Sequence, residues 1–329
     1  MKKSIYLLGM AVAALSSCSQ SDVVEMPENR AIGFSTFVNN NTRAVNEVAK
    51  GNLSGTFYVF GNYGASDYSS TAFNNEPNTA LYYWETNMNY LFGAYKNGTG
   101  KIANAVFTPA ASNSTLKFPG YVPNDQNDLI AAFGTARTET DVTNQSKVDL
   151  TFSHLLSQVK FTFTTEATAA CNLTISDVKI TNAISKSTCT YTAGTPNTIV
   201  WESITDVEKN GYAYEEFNEG KAISIETSAS QSKLVIPQSG TDQIKVTFKA
   251  KVDGAGITTE EKDFEGNLTY TDGSNTWNPG FRYNYSVKIN VEDIVDNSDD
   301  LVKIEFTPTV DSNWLEVEAG EVTDAVVQP

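Results

Sequence analysis

The chain has 329 residues, 40% hydrophobic and 11% aromatic, with a formal net charge of −16 and a pI near 4.5. So acidic a composition offers no basic patch to neutralise phosphates, which excludes nucleic acid as a partner and membrane binding through a polybasic face. One histidine and three cysteines remove most of the vocabulary of acid–base catalysis and zinc ligation. Binding or structure is therefore expected, with no cofactor, no metal site and no catalytic residues.

Met1-Lys2-Lys3 forms a short positive n-region, and residues 5–15 are an apolar run of signal-peptide length, too short to span a bilayer. The run ends in Leu15-Ser16-Ser17-Cys18, which resembles a bacterial lipobox. Removal of residues 1–17 as a signal peptide leaves Cys18 as a lipid-bearing first residue, each buried acyl CH₂ adding about 0.8 kcal/mol of membrane affinity. Serine at position 19 resembles the outer-membrane rather than the inner-membrane class. Residues 18–30 are polar without an apolar period and read as a tether.

From residue 31 onward a period of two dominates. Runs at 57–60, 105–107 and 129–133 are β-rich, and Leu155, Val159, Phe161 and Phe163 form an inward set. Residues 164–170 are small, polar and unpatterned. β-rich runs return at 173–180 and 233–236. Ile244, Val246, Phe248 and Ala250 then alternate with Lys245, Thr247, Lys249 and Lys251. The clearest alternation is Phe281, Tyr283, Tyr285, Val287, Ile289 and Val291, followed by Val302, Ile304 and Phe306. Asn97-Gly98-Thr99-Gly100, Asp253-Gly254-Ala255-Gly256 and Asp272-Gly273-Ser274-Asn275 are turn clusters. No stretch sustains a helical period; residues 42–50 and 205–209 offer a turn or two at most. Many short strands with Gly/Asn turns predict an all-β chain of antiparallel sandwiches. At about 100–150 residues each, two tandem domains are expected, at 31–165 and 166–314, with 315–329 beyond them.

Residues able to carry chemistry have ordinary structural readings. His154 opens a strand without a second histidine or a nearby cysteine, which suits a structural histidine at a strand or domain junction. A hairpin of 172–182 with 188–194 places Cys171 and Cys189 roughly 33 Å apart along the strand, far beyond the ~7 Å Cα separation a disulfide allows. Two unpaired, mostly buried thiols are expected. The acidic stretches 124–128 and 296–300 lack EF-hand spacing and read as solvated loops. Tyr82-Tyr83-Trp84 points alternately to opposite faces and reads as core rather than a sugar platform. Nucleophile-elbow, phosphate-loop and H-E-x-x-H patterns are absent from the sequence. A glycosidase carboxylate pair needs no local motif, and nothing nominates one.

Several segments together resemble the fimbrillin family, lipoprotein-derived subunits of type V pili and related surface adhesins of Gram-negative anaerobes. They are the lipobox, Ala31-Ile32-Gly33-Phe34-Ser35-Thr36-Phe37 leading to Asn41-Thr42-Arg43-Ala44, and Phe152-Ser153-His154-Leu155-Leu156-Ser157-Gln158-Val159-Lys160-Phe161. In the second half they are Leu234-Val235-Ile236-Pro237-Gln238 and Trp277-Asn278-Pro279-Gly280-Phe281-Arg282-Tyr283-Asn284-Tyr285. The resemblance implies two transthyretin-like (Ig-like) sandwiches and no enzymatic activity. It implies location at the outer membrane, cell surface and fimbrium, held first by lipid on Cys18. It further implies cleavage between Arg43 and Ala44 by a trypsin-like surface protease, removing a first strand that includes Ile32, Phe34 and Val38. Other fimbrillin subunits are the implied partners, with a host glycan or protein as ligand. Leu315, Val317 and Ala319 are a candidate donor strand, and the same residues read equally well as a frayed tail. The rival function is a monomeric surface lipoprotein adhesin that never polymerises.

Overall fold

The computed structural model describes residues 30–38, 53–124, 127–142, 145–166, 171–202, 209–224, 228–240, 243–254, 257–259, 261–268, 275–295 and 301–311. Strands dominate. In chain order, β1 is Phe34–Val38, β2 Tyr58–Gly64, β3 Ser70–Pro77, β4 Asn89–Asn97 and β5 Val106–Thr108. β6 (Thr115–Tyr121), β7 (Leu129–Arg137), β8 (Val148–His154) and β9 (Ser157–Thr164) follow. Next come β10 (Cys171–Thr181), β11 (Ser187–Thr192), β12 (Thr198–Trp201), β13 (Tyr212–Ala213), β14 (Lys221–Ile223) and β15 (Ala229–Val235). The set closes with β16 (Lys245–Gly254), β17 (Ile257–Thr258), β18 (Lys262–Asn267), β19 (Arg282–Lys288), β20 (Leu301–Glu305) and β21 (Thr307–Asp311).

The alternation visible in the sequence becomes burial. Val159, Phe161 and Phe163 of β9, Val246, Phe248 and Ala250 of β16, and Tyr283 and Tyr285 of β19 are buried, while their neighbours are partly or fully exposed. A six-stranded sheet runs β1-β8-β7-β4-β2-β3, and a four-stranded sheet runs β12-β11-β6-β5. A seven-stranded sheet has the path β13-β10-β16-β18-β20, with β14 beside β10 and β17 beside β16. It shares a core of β9, β10, β16, β18 and β19 residues with the sheet β15-β9-β19-β21.

The six-stranded sheet serves two cores. Leu129 and Ala131 of β7 and Tyr95 of β4 join Leu116, Phe118, Cys189 and Tyr191 of the four-stranded sheet. Residues of the opposite parity, including Phe92, Ile130 and Leu150, gather with Phe73, Trp84 and Ile32 in a second cluster. Gly93 lets the two sheets approach, since a Cβ there would lie 2.8 Å from the Phe107 ring and 3.0 Å from Leu116.

The structure departs from the sequence reading in strand direction and in partners. β1–β8, β9–β19 and β18–β20 are parallel pairs, not antiparallel. A period of two is the same in both directions, and parallel pairing requires a long crossover that local pattern cannot reveal. The expected hairpin of 172–182 with 188–194 does not form. β10 is flanked by β16 on one side and by β13 and β14 on the other, so no edge remains for β11. Asn182, at φ 62°, lies where the chain leaves β10. β11 pairs with β12 and with β6 of the first half. Likewise β9, which precedes residue 165, pairs with β15 and β19. Sheet membership is set by which edges are free, and local polarity does not report it.

Buried tyrosines tie the body together. Tyr95 donates to Asn75 Oδ1 at 2.7 Å and accepts from Ile102 N at 2.8 Å, and burial pushes its phenol up to about 12 from 10.0. Burial also raises Tyr121 and Tyr191. A phenol held protonated by the fold contributes stability that is complete below the unfolded value near 10 and is lost as pH rises toward the folded one. Tyrosinate absorbance should therefore show an exposed class titrating normally and a second class that ionises only together with loss of β-sheet circular dichroism at higher pH.

Candidate functional site

Residues 30–38 form the first described segment, and they are held by two different partners. Ala31 bridges Tyr83 in antiparallel fashion; Ile32 N donates to Tyr82 O at 2.8 Å and Trp84 N donates to Arg30 O at 3.0 Å. Beyond Gly33, whose carbonyl accepts from Val148 N at 2.9 Å, the segment becomes β1 and runs parallel to β8, from Phe34 opposite Val148 to Val38 opposite Phe152. β1 is thus an edge strand, paired on one side among the described residues.

Strand alternation turns residues 32, 34, 36 and 38 inward. Ile32 is 6% exposed and Thr36 7%, while Phe34 and Val38 pack half-buried on the same cluster. The Phe34 ring is surrounded edge-on by Phe57, Phe73 and Phe92, with centroids at 6.0, 5.6 and 5.6 Å. Trp84 closes the neighbouring wall, 4.8 Å from the Tyr90 ring. Thr36 Oγ1 accepts from Leu53 N at 3.1 Å, so the chain returns beside the strand it has just left. On the outer face Ser35 donates to Asp149 Oδ1 of β8, its Cα partner in the ladder.

This arrangement is a plug. Fully burying one such apolar side chain stabilises a fold by roughly 1.5–3 kcal/mol, and edge-to-face aromatic pairs add about 0.5–1.5 kcal/mol each. Ile32, Phe34 and Val38 together contribute on the order of 5 kcal/mol, comparable with the net stability of an ordinary domain. Loss of the segment would leave one side of β8 unpaired and open an apolar trough above Phe57, Phe73 and Phe92.

The structure brings Ile32, Phe34 and Val38 onto one face of one segment. Cys18, Arg43, Ala44, Leu315, Val317 and Ala319 lie outside the described residues, as does the acidic stretch 296–300. His154 ends β8, largely buried, and its Nδ1 meets Asp128 Oδ2, a pairing with no local sequence signal. Cys189 is a free thiol with no solvent exposure, and burial pushes its pKa well above the ordinary value. Trp84 is buried, Tyr82 packs on Phe73 at 4.4 Å, and neither forms an open platform. Among the described residues no group of His, Cys, Asp or Glu could hold a metal ion. The aromatic box and Asp149 escape sequence reasoning. Phe57, Phe73 and Phe92 come from separate segments, and β4 is buried on both faces, so no local period shows that they share one pocket.

Comparison with known proteins gives one clear result: a family model described as fimbrillin-like matches residues 24–312. No curated protein matches the chain. Among solved structures, a candidate cell adhesion protein from Bacteroides uniformis is similar at 16% identity, covering 88% of this chain and 100% of that one with a TM-score of 0.46. The fimbrial anchor protein Mfa2 from Porphyromonas gingivalis is similar at 9% identity, covering 78% of this chain and 90% of that one with a TM-score of 0.31.

The packing of β1 makes a quantitative prediction. Phe34→Ala should lower stability by about 2–3 kcal/mol in urea titration, since it opens a cavity in a half-buried aromatic box. Ser35→Ala, one residue away on the outer face, should cost less than about 1 kcal/mol. Equal effects would mean that the strand does not plug the core.

Proposed function

Because this chain belongs to the fimbrillin-like family, we propose that it is a structural or adhesive fimbrial subunit that matures by losing its first strand and is completed by a strand from a neighbour. It is delivered to the outer membrane with lipid on Cys18 and acts at the cell surface. A trypsin-like surface protease cuts after Arg43, and Ala44 becomes the new first residue. The observation that carries this reading is the seating of Phe34 in its box of three phenylalanines by a strand at a sheet edge.

The energetics follow from tethering. While residues 30–38 remain covalently joined to the body, their effective concentration at the groove is in the millimolar range or above, and no free strand competes. A cut after Arg43 turns the plug into a separate peptide. Once it leaves, the unpaired edge of β8 and the apolar trough above it are both satisfied by an incoming strand of like pattern, so assembly draws on folding energy alone. A cut after Arg30 would not serve, because β1 would stay attached. Arg30 is in addition engaged with Trp84, accepting through its carbonyl and donating from Nη2 to Trp84 O at 3.4 Å. The function needs binding surfaces and no chemistry. Other fimbrial subunits are the partners, and a host glycan or protein is the ligand at the fibre surface.

Amino-terminal sequencing of the surface-exposed protein tests the scheme. The mature form should begin at Ala44, and Arg43→Ala should keep the form that begins at Cys18 and prevent its entry into fibres. A surface form that begins at Cys18 and functions with β1 in place would instead support the monomeric lipoprotein adhesin.

A further inference from the structure

The groove beneath β1 has a shape and a charge that select its occupant. Its inward positions hold, in order, an aliphatic side chain (Ile32), an aromatic ring (Phe34), a small hydroxyl (Thr36) and an aliphatic side chain (Val38). The second position is the aromatic box. The outward position between the second and third belongs to Ser35, directly beside Asp149, whose carboxylate accepts its hydroxyl.

Residues 312–321 fit this template in no register. Their single aromatic residue is Trp314, and seating it in the box puts Glu316 and Glu318 at the buried Thr36 and Val38 positions. The apolar set Leu315, Val317 and Ala319 has two registers to offer. With Leu315 in the box, Asn313 takes the buried place of Ile32, and Glu316 lies against Asp149. With Leu315 in the place of Ile32, Val317 underfills the box, Glu321 takes the place of Val38, and Glu318 lies against Asp149. Both registers therefore set a glutamate beside the Asp149 carboxylate, and like charges on neighbouring strands are destabilising. Slippage by one residue turns the glutamates inward, which is worse.

Resting on the strand-exchange reading above, we propose that the vacated groove takes its strand from a different subunit and rejects residues 312–321 of a second copy of this chain. The donor runs parallel to β8. It carries an aliphatic residue, then an aromatic one two positions later, then a small or hydroxyl-bearing one, and it has a neutral or basic residue facing Asp149. Phe57, Phe73 and Phe92 read its size, and Asp149 reads its charge.

The test uses the full mature chain with a site-specific protease sequence placed after Arg43. The chain is cut, unfolded to release the fragment, and refolded with fluorescent peptides, whose binding is read by anisotropy. The peptide of residues 31–38 should bind at least about 100-fold more tightly than the peptide of residues 312–321, a ratio equivalent to two decades of Kd. The 31–38 peptide carrying Phe34→Leu and Ser35→Glu should fall toward the weaker one. Asp149→Asn in the acceptor should narrow the gap about tenfold, since it removes the repulsion while leaving the aromatic box. If the 312–321 peptide binds as well as the 31–38 peptide, donor selection is wrong and strand exchange stands. If neither peptide binds the refolded acceptor, strand exchange itself fails and takes this inference with it.

Discussion

The contact on which the amino-terminal half depends is the insertion of Phe34 among Phe57, Phe73 and Phe92. The six-stranded sheet is apolar on both faces. One face is covered by the four-stranded sheet, and the other would be open along one side without residues 30–38. A sheet with two apolar faces must cover both, and here a single short edge segment supplies the last piece. Edge strands are normally blunted by charge, proline or covering loops. This one is paired on one side only among the described residues, yet its inward side chains complete the core.

The remainder of the molecule does not rely on that segment. β11 pairs with β12 and with β6, in a sheet that does not contain β1, and its Cys189 and Tyr191 are fully buried. Trp201 donates its indole N–H to Leu155 O at 2.8 Å, joining β12 to the link between β8 and β9. In the second half, β9 and β19 run side by side as inner strands, flanked by β15 and β21, so their backbone groups are satisfied on both sides. Strand loss at β1 therefore removes one edge of one sheet and leaves the other cores, with their buried tyrosines and phenylalanines, in place. Loss of that edge would therefore be a local change and not a global unfolding.

The inward faces of β9, β16 and β19 were legible in the sequence because each strand keeps strict alternation, and burial of one face is a local consequence of that pattern. Ile32, Phe34 and Val38 were nominated by the resemblance to fimbrillins, since Phe37 at an outward position breaks a strict alternation there. The hairpin of 172–182 with 188–194 was misread, since pairing depends on which sheet edges are free after distant strands have docked. The partnership of His154 with Asp128 and the role of Asp149 beside Ser35 were hidden likewise, because each joins side chains from strands or loops well separated along the chain.

By itself the sequence determined an all-β chain, the inward parity of β9, β16 and β19 and a likeness to fimbrillins, all of which are written in contiguous residues. Tertiary structure alone decided that β1 runs parallel to β8, that three phenylalanines from separate segments enclose Phe34, and that a carboxylate stands beside Ser35. Those features arise where segments far apart in the chain meet, and the period of a strand carries no information about its neighbour's identity, direction or charge.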